Sequence, residues 1–348
     1  MPLYQSIDGT TREGKRTIDG CLRLRKALRE TVPTRSLGRT LLLASWNIRQ
    51  FGGGGQAERD HEALFYLAQV IDKFDLVAIQ EVKSDLGQLD ELVRTLGSWW
   101  RYLVSDVCTG KSGNAERMAF VYDSRKLSFG GLAGEFESSG AMSSTNKKKG
   151  RIKGGDGVSR SPYFAGFRAG WFKFTVCTMH AYYGAAGKDI AQRAQDARLT
   201  AERLRDRMKQ KDRWSRNAIL LGDFNIFGDD DKTAQSLRKE GFVSPKLLDG
   251  KPTNAEGDKP FDRLLFIAPD LSFQLNETEM KAGVFPVFDH VYRDGDHAEY
   301  GKTAREFSSW RTYRMSDHNP VWCQIEIDFT EPYLESRRGK KPEGRSGA

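Results

Sequence analysis

The chain has 348 residues, 38% of them hydrophobic, with 55 Lys and Arg against 47 Asp and Glu, a formal charge of +8. That length supports a substantial core in one large or two small domains. Its longest apolar runs are strand-sized, well short of the roughly 20 residues a spanning helix needs, so no membrane partner is expected, while the positive charge favours a polyanionic one.

Taken in chain order, Met1 to Arg16 is polar and lacks the apolar stretch of an export signal, so the expected compartment is the cytoplasm. Cys21, Cys108, Cys177 and Cys323 show no paired spacing and read as buried free thiols. Thr17–Thr31 has helical spacing through Ile18, Cys21, Leu22 and Leu28 and is stopped by Pro33. Residues 1–39 therefore read as an N-terminal extension whose helix packs on a main domain spanning 40–330. That domain opens with the strand Leu41–Trp46, which ends in Asn47. Ala57–Lys73 reads as helix, Phe74–Gln80 as a strand ending in Glu81, and Ser84–Leu96 as helix. Trp100–Ser105 and Arg117–Tyr122 read as strands. Residues 138–161 form a Ser/Gly-rich insertion holding Lys147, Lys148, Lys149, Arg151 and Lys153, either a solvated loop or a phosphate-contacting arm. Strands at Pro162–Arg168 and Gly170–His180, a charged helix at Lys188–Arg213 and a strand from Ala218 to Gly222 follow. Phe261–Ile267 and Asn319–Asp328 complete the apolar set, and residues 331–348 read as a basic, disordered tail. Hairpin-linked strands mixed with strand–helix alternation predict two packed sheets with helices outside. The candidate site falls in a cleft along one edge, supplied by both halves of the domain.

Four strand ends carry chemistry. Asn47, Glu81 and Asp317 are hard oxygen donors from three separate strand ends, suited to Mg2+ or Mn2+. His180 ends one strand and His318 precedes another. A hydrolase acting on phosphodiesters needs one group to activate water and one to support the leaving oxygen, and a histidine does either best beside a carboxylate. Asp262 and Glu116, each just before a strand, are the candidate partners. Asp223 and Asn225 are two residues apart and so face the same side in extended chain, while Phe224 points to the core. His61, His290 and His297 have no such surroundings.

The segments Trp46-Asn47-Ile48-Arg49-Gln50-Phe51-Gly52, Gln80-Glu81-Val82, Thr178-Met179-His180, Gly222-Asp223-Phe224-Asn225, Phe261-Asp262-Arg263 and Ser316-Asp317-His318-Asn319-Pro320 together resemble, in order, the motifs of the endonuclease/exonuclease/phosphatase superfamily. The form Asn-Ile-Arg-x-Phe-Gly is most similar to the deoxyribonuclease I branch. The resemblance covers residues 40–328. It implies a four-layer α/β sandwich and Mg2+-dependent phosphodiester hydrolysis. It implies metal ligation by Asn47, Glu81 and Asp317, and His318–Asp262 and His180–Glu116 pairs acting as base and acid. Asp223 and Asn225 would position water and stabilise the pentacovalent phosphorus, and Arg160 would meet a phosphate. Asn114 stands where that branch places a minor-groove tyrosine.

The expected function is a monomeric DNA endonuclease leaving a 5′-phosphate and a 3′-hydroxyl, with Lys147, Lys148 and Lys149 on the phosphates and nucleic acid as partner. A phosphatase or lipid phosphodiesterase on the same scaffold is the first alternative. A non-catalytic nucleic-acid binder is the second.

Overall fold

A computed structural model describes residues 2–108, 115–136, 158–184, 190–228, 230–271, 274–275 and 280–340. Lys147, Lys148, Lys149 and Asn114 lie outside the described residues. The elements are α1 (Arg12–Thr31), β1 (Thr40–Phe51), α2 (His61–Ile71), β2 (Leu76–Lys83), α3 (Gly87–Leu96), β3 (Trp100–Val104), β4 (Glu116–Asp123) and β5 (Ser128–Glu135). They continue with β6 (Tyr163–Ala169), β7 (Phe172–His180), α4 (Ile190–Lys209), β8 (Ala218–Asp223), α5 (Lys232–Lys239) and β9 (Asp262–Ile267). The last are β10 (Ala282–Val284), α6 (Ala304–Arg314), β11 (Val321–Glu326) and α7 (Thr330–Arg337).

The strands form a six-stranded sheet, in the order β10-β11-β1-β2-β4-β3, and a five-stranded sheet, β5-β6-β7-β8-β9. Alternation along β1 shows why the two stack. Leu41 and Leu43 face the second sheet, meeting Phe167, Val176, Leu221 and Phe266. Leu42, Ala44 and Trp46 face outward under Leu24 and Leu28 of α1 and Leu64 and Leu67 of α2. Both faces of β1 are covered, so Leu41–Ala44 is apolar at every position and does not alternate. On the other side Cys177, Leu220 and Leu265 pack under Ala201 and Leu204 of α4 and Leu237 of α5. Helices, sheet, sheet, helices: this is the four-layer α/β sandwich of two mixed sheets. No helix among the described residues is long and apolar enough to cross a membrane.

Strand register sets the site. Parallel pairing of β1 with β2 puts Asn47 opposite Gln80. Parallel pairing of β7 with β8 puts His180 opposite Asp223, and antiparallel pairing of β8 with β9 puts Asp223 opposite Asp262. β11 runs antiparallel to β1, pairing Val321 with Ser45, so the segment just before it returns to the same end.

Several expectations shift. The buried stripe of α1 runs through Thr17, Cys21, Leu24 and Leu28, while Ile18 and Leu22 are exposed. Of the residues 331–348 expected to be a disordered tail, Glu331–Arg337 belong to the helix Thr330–Arg337, whose Tyr333 ring contacts Trp171. Cys21, Cys177 and Cys323 are buried free thiols as expected, but Cys108 is only half-buried. β5, β10, α5 and α6 were not foreseen. β5 (Ser-Phe-Gly-Gly-Leu-Ala-Gly-Glu) is glycine-rich and pairs on one side only, so it carries no apolar alternation.

Candidate active site

The site is an open cleft of about 710 Å³ where the strand ends of both sheets meet. Asp223, the last residue of β8, lines it between His180 of β7 and Asp262 of β9. Gly222 has φ +135°, and a Cβ there would come within 2.0 Å of the Met179 carbonyl oxygen, so only glycine lets β7 and β8 approach this closely. Asp223 Oδ1 accepts from the Asn225 backbone N–H at 2.9 Å, and Asn225 Nδ2 donates to the Ala181 carbonyl at 2.8 Å. Asn225 takes a left-handed φ of 50°, a conformation asparagine tolerates well.

Two imidazoles converge on the other oxygen of Asp223. His180 Nε2 is 3.6 Å and His318 Nε2 is 3.7 Å from Oδ2. Each ring is oriented from behind by a buried carboxylate. His318 Nδ1 is 2.8 Å from Asp262 Oδ2, which also accepts from the Thr253 hydroxyl at 2.7 Å. His180 Nδ1 is 3.2 Å from Glu116 Oε2. Arg160 Nη1, buried, is 3.5 Å from the same Glu116 oxygen, and Lys83 Nζ is 3.3 Å from Oε1. The pairs His318–Asp262 and His180–Glu116 are therefore both assembled.

Electrostatics follow the geometry. Burial disfavours charge on His318, yet attraction from Asp262 and Asp223 overrides it and holds the imidazole well above its ordinary value. Burial likewise pushes Asp223 up, but His318 and His180 outweigh it and lower the carboxyl. At Asp262 burial wins and the carboxyl is raised. At Glu116 burial is overcome by the adjacent His180 imidazole and by Arg160 and Lys83, which bring the carboxyl down to about 2.

A second group of oxygens faces the cleft from the first sheet. Asn47 Nδ2 donates to Glu81 Oε1 at 2.9 Å and to Asp223 Oδ2 at 3.0 Å. Both acceptors are carboxylates, which fixes the orientation of the amide. Asn47 Oδ1 is then a buried acceptor with no hydrogen-bond partner among the described residues. Glu81 sits at a register shift in β2 with φ 63° and accepts from the Gln50 N–H at 3.0 Å. Non-glycine residues are held in that conformation where surrounding structure overdetermines them, often at sites. Asp317 is half-exposed at 43% of its side chain, with Arg49 Nε 3.6 Å from Oδ2. An orphaned amide oxygen beside two carboxylates that reach the cleft fits a hard cation that keeps part of its water shell. Asp223, Asp262 and His318 also lie within 4.8 Å of one another. That grouping suits a metal less well, because Asp262 is fully buried and already engaged by His318 and Thr253.

Sequence reasoning missed several members. Arg49 and Lys83 line the cleft. Lys83 was legible as the residue two after Glu81 on the same strand. Ser316 Oγ donates to the Asn47 carbonyl at 2.6 Å and accepts from the His318 N–H at 3.0 Å, locking the segments that bear Asn47 and His318 together. Thr253 had no signal, since it comes from an irregular loop.

A family model described as the Endonuclease/Exonuclease/phosphatase family matches residues 44–318, most of the chain. No curated protein matches. Among solved structures, an endonuclease/exonuclease/phosphatase family protein from Bacteroides thetaiotaomicron is 18% identical with a TM-score of 0.53, covering 84% of this chain and 97% of that one. A mannosyl-6-phosphatase of the same organism is 18% identical with a TM-score of 0.51, covering 82% and 99%. Truncated TDP2 from Caenorhabditis elegans is 15% identical with a TM-score of 0.53, covering 82% and 97%. At these identities the likeness establishes a common fold. With the family model spanning every strand end that builds the cleft, the chain belongs to the endonuclease/exonuclease/phosphatase family, hydrolases of phosphate esters.

Proposed function

We propose that this chain is a Mg2+-dependent phosphodiesterase, a DNA endonuclease that hydrolyses the backbone by in-line attack of water. The observation that supports it is the convergence of two histidine–carboxylate pairs on one oxygen of Asp223, at 3.6 and 3.7 Å. Phosphodiester hydrolysis requires a proton acceptor on one side of phosphorus and a donor on the other. Two oriented imidazoles flanking one carboxylate supply both. Asp223, with Asn225 beside it, would hold the attacking water, whose proton passes to one imidazole as the new P–O bond forms. The other imidazole protonates the departing 3′ oxygen as its bond to phosphorus breaks, leaving a 5′-phosphate and a 3′-hydroxyl. Asn47, Glu81 and Asp317 would hold the divalent ion, which when bound neutralises charge on a phosphoryl oxygen. Arg160, Lys83 and Arg49 surround the cleft with positive charge suited to the flanking phosphates.

Digestion of supercoiled plasmid by the purified full-length chain tests this, with Mg2+, with Mn2+ and with EDTA. Nicking that needs the metal and disappears in Asp223→Ala is expected. Intact plasmid in all conditions, with hydrolysis of a sugar phosphate or phospholipid instead, would overturn the nuclease assignment.

A further inference from the structure

Beside the cleft, and sharing Arg49, Tyr183, Phe261, Asp317 and His318 with it, runs a second groove of about 760 Å³. Its two walls differ in chemistry. One is aromatic. Phe227 and Phe261 meet edge-to-face at 5.3 Å, and Tyr183 lies 6.0 Å from the first and 6.3 Å from the second. Tyr183 is 48% exposed although it is a large ring. The wall is braced from behind: fully buried Arg193 of α4 places its guanidinium 5.1 Å from the Phe227 ring and donates to the Tyr183 carbonyl. At its near end Phe261 lies 5.7 Å from the His318 ring, tilted by 36°. The aromatic surface therefore begins at the catalytic imidazole.

The facing wall is polar. Arg305, Ser308, Ser309 and Thr312 of α6 all line the groove, and their spacing of three, four and seven residues is that of one helix face. Arg49 stands at the junction, donating to the Thr312 hydroxyl at 2.6 Å. Short hydroxyls between two guanidinium groups allow close approach of a sugar-phosphate backbone, which such donors contact without reading sequence. Of the acidic residues that line the groove, Glu256, Asp258 and Asp317, Asp258 pairs with Lys259 at 3.0 Å and accepts from Asn254, and Asp317 lies 3.6 Å from Arg49.

We propose that this groove holds an unpaired nucleotide next to the scissile phosphate, its base on Tyr183 and its backbone on α6, so that the enzyme prefers single-stranded or locally unpaired nucleic acid. This rests on the nuclease reading above and narrows it. The argument is one of accessible faces. A base inside a duplex is covered above and below by its neighbours and cannot offer a face to a lateral wall. An unpaired base can, and aromatic stacking of this kind tolerates any sequence. A bare basic groove would not discriminate strandedness; an exposed ring at its edge does.

The test is fluorescence anisotropy with the full-length chain in EDTA at fixed salt near 0.1 M, using a labelled single-stranded oligonucleotide and a blunt hairpin duplex of the same composition whose strands are joined by a non-nucleotide linker, so that it has no unpaired base. Tighter binding of the single strand is expected. Tyr183→Ala should weaken it about 5- to 100-fold with less than about 2-fold effect on the hairpin, and Tyr183→Phe should retain it. Thermal melts of each protein identify a folding defect, and Tyr183→Leu, which keeps the bulk without a stacking face and should lose single-strand binding as alanine does, carries the comparison if alanine unfolds. Equal losses on both probes, no loss on either, or tighter binding of the hairpin by the parent chain would overturn the inference while leaving the nuclease reading in place. No binding of either probe, with no plasmid cleavage, would overturn both.

Discussion

Asp223 depends on its neighbour. Gly222 pairs with Met179 in the parallel register, and any side chain there must drive the two strands apart where His180 faces Asp223. We expect Gly222→Ala to lower kcat/KM by about 100-fold or more through misplacement of the reacting groups, with KM rising less than kcat falls. Steady-state kinetics beside a thermal melt check this, and wild-type kinetics would contradict it. Asp262→Asn should lower kcat by roughly 10²- to 10⁴-fold with KM little changed, because the amide no longer holds the His318 tautomer or balances its charge. At this scale the sequence was most informative. His180, Asp223, Asp262 and His318 were legible because acids and imidazoles at the ends of apolar strands have few structural uses. Thr253 and Ser316 were not legible as positioning groups, since a hydroxyl in a loop has many, and their partners lie 9 and 269 residues away.

Among the elements, strands that alternate or run apolar on both faces were found in the sequence, the edge strands β3 and β9 included, but the edge strands β5 and β10 were not. β10 is three residues long and half-buried throughout, and β5 pairs on one side only, so neither needs a strong pattern. α1 was found with half of its buried stripe: Cys21 and Leu28 are in the core as read, but Ile18 and Leu22 are exposed, and Leu24, which was not read, joins Leu28 in the cluster with Leu42 and Trp46. Leu24→Ala and Leu28→Ala should each cost about 2–5 kcal/mol in urea unfolding, against about 0.5 kcal/mol or less for Leu22→Ala, which is 59% exposed. Equal costs at all three would mean the helix is not docked. α6 escaped notice because its surface face is built of serines and threonine instead of an apolar stripe.

Across the whole molecule, the N-terminal extension is tied into the sandwich. Arg35 pairs with Asp75 at 2.7 Å and with Asp123 at 2.6 Å, and Asp75 also accepts from the Leu42 N–H. Burial pushes the Asp123 carboxyl up, but Arg125 and Arg35 outweigh it and lower it from 3.8 to about 2. A carboxyl depressed in the folded state stabilises above its unfolded value, and that contribution is lost as pH falls through the folded one. Stability should therefore drop between pH 3.8 and about 2. Asp123→Asn should cost about 1–3 kcal/mol near neutral pH and flatten that part of the profile. An unchanged profile would remove Asp123 from the account of acid lability. The charge of +8 operates at the same scale: if phosphates are the partner, nucleic-acid affinity should fall steeply with salt.

The central claim is that two imidazoles act as one unit through Asp223. The measurement that tests it most directly is kcat/KM on supercoiled plasmid for His180→Ala, His318→Ala and the double variant. Each single change should cost on the order of 10²- to 10⁴-fold, and the double variant should be no worse than the poorer single one within about threefold. Losses that multiply, or a single variant with activity near that of the parent chain, would contradict it.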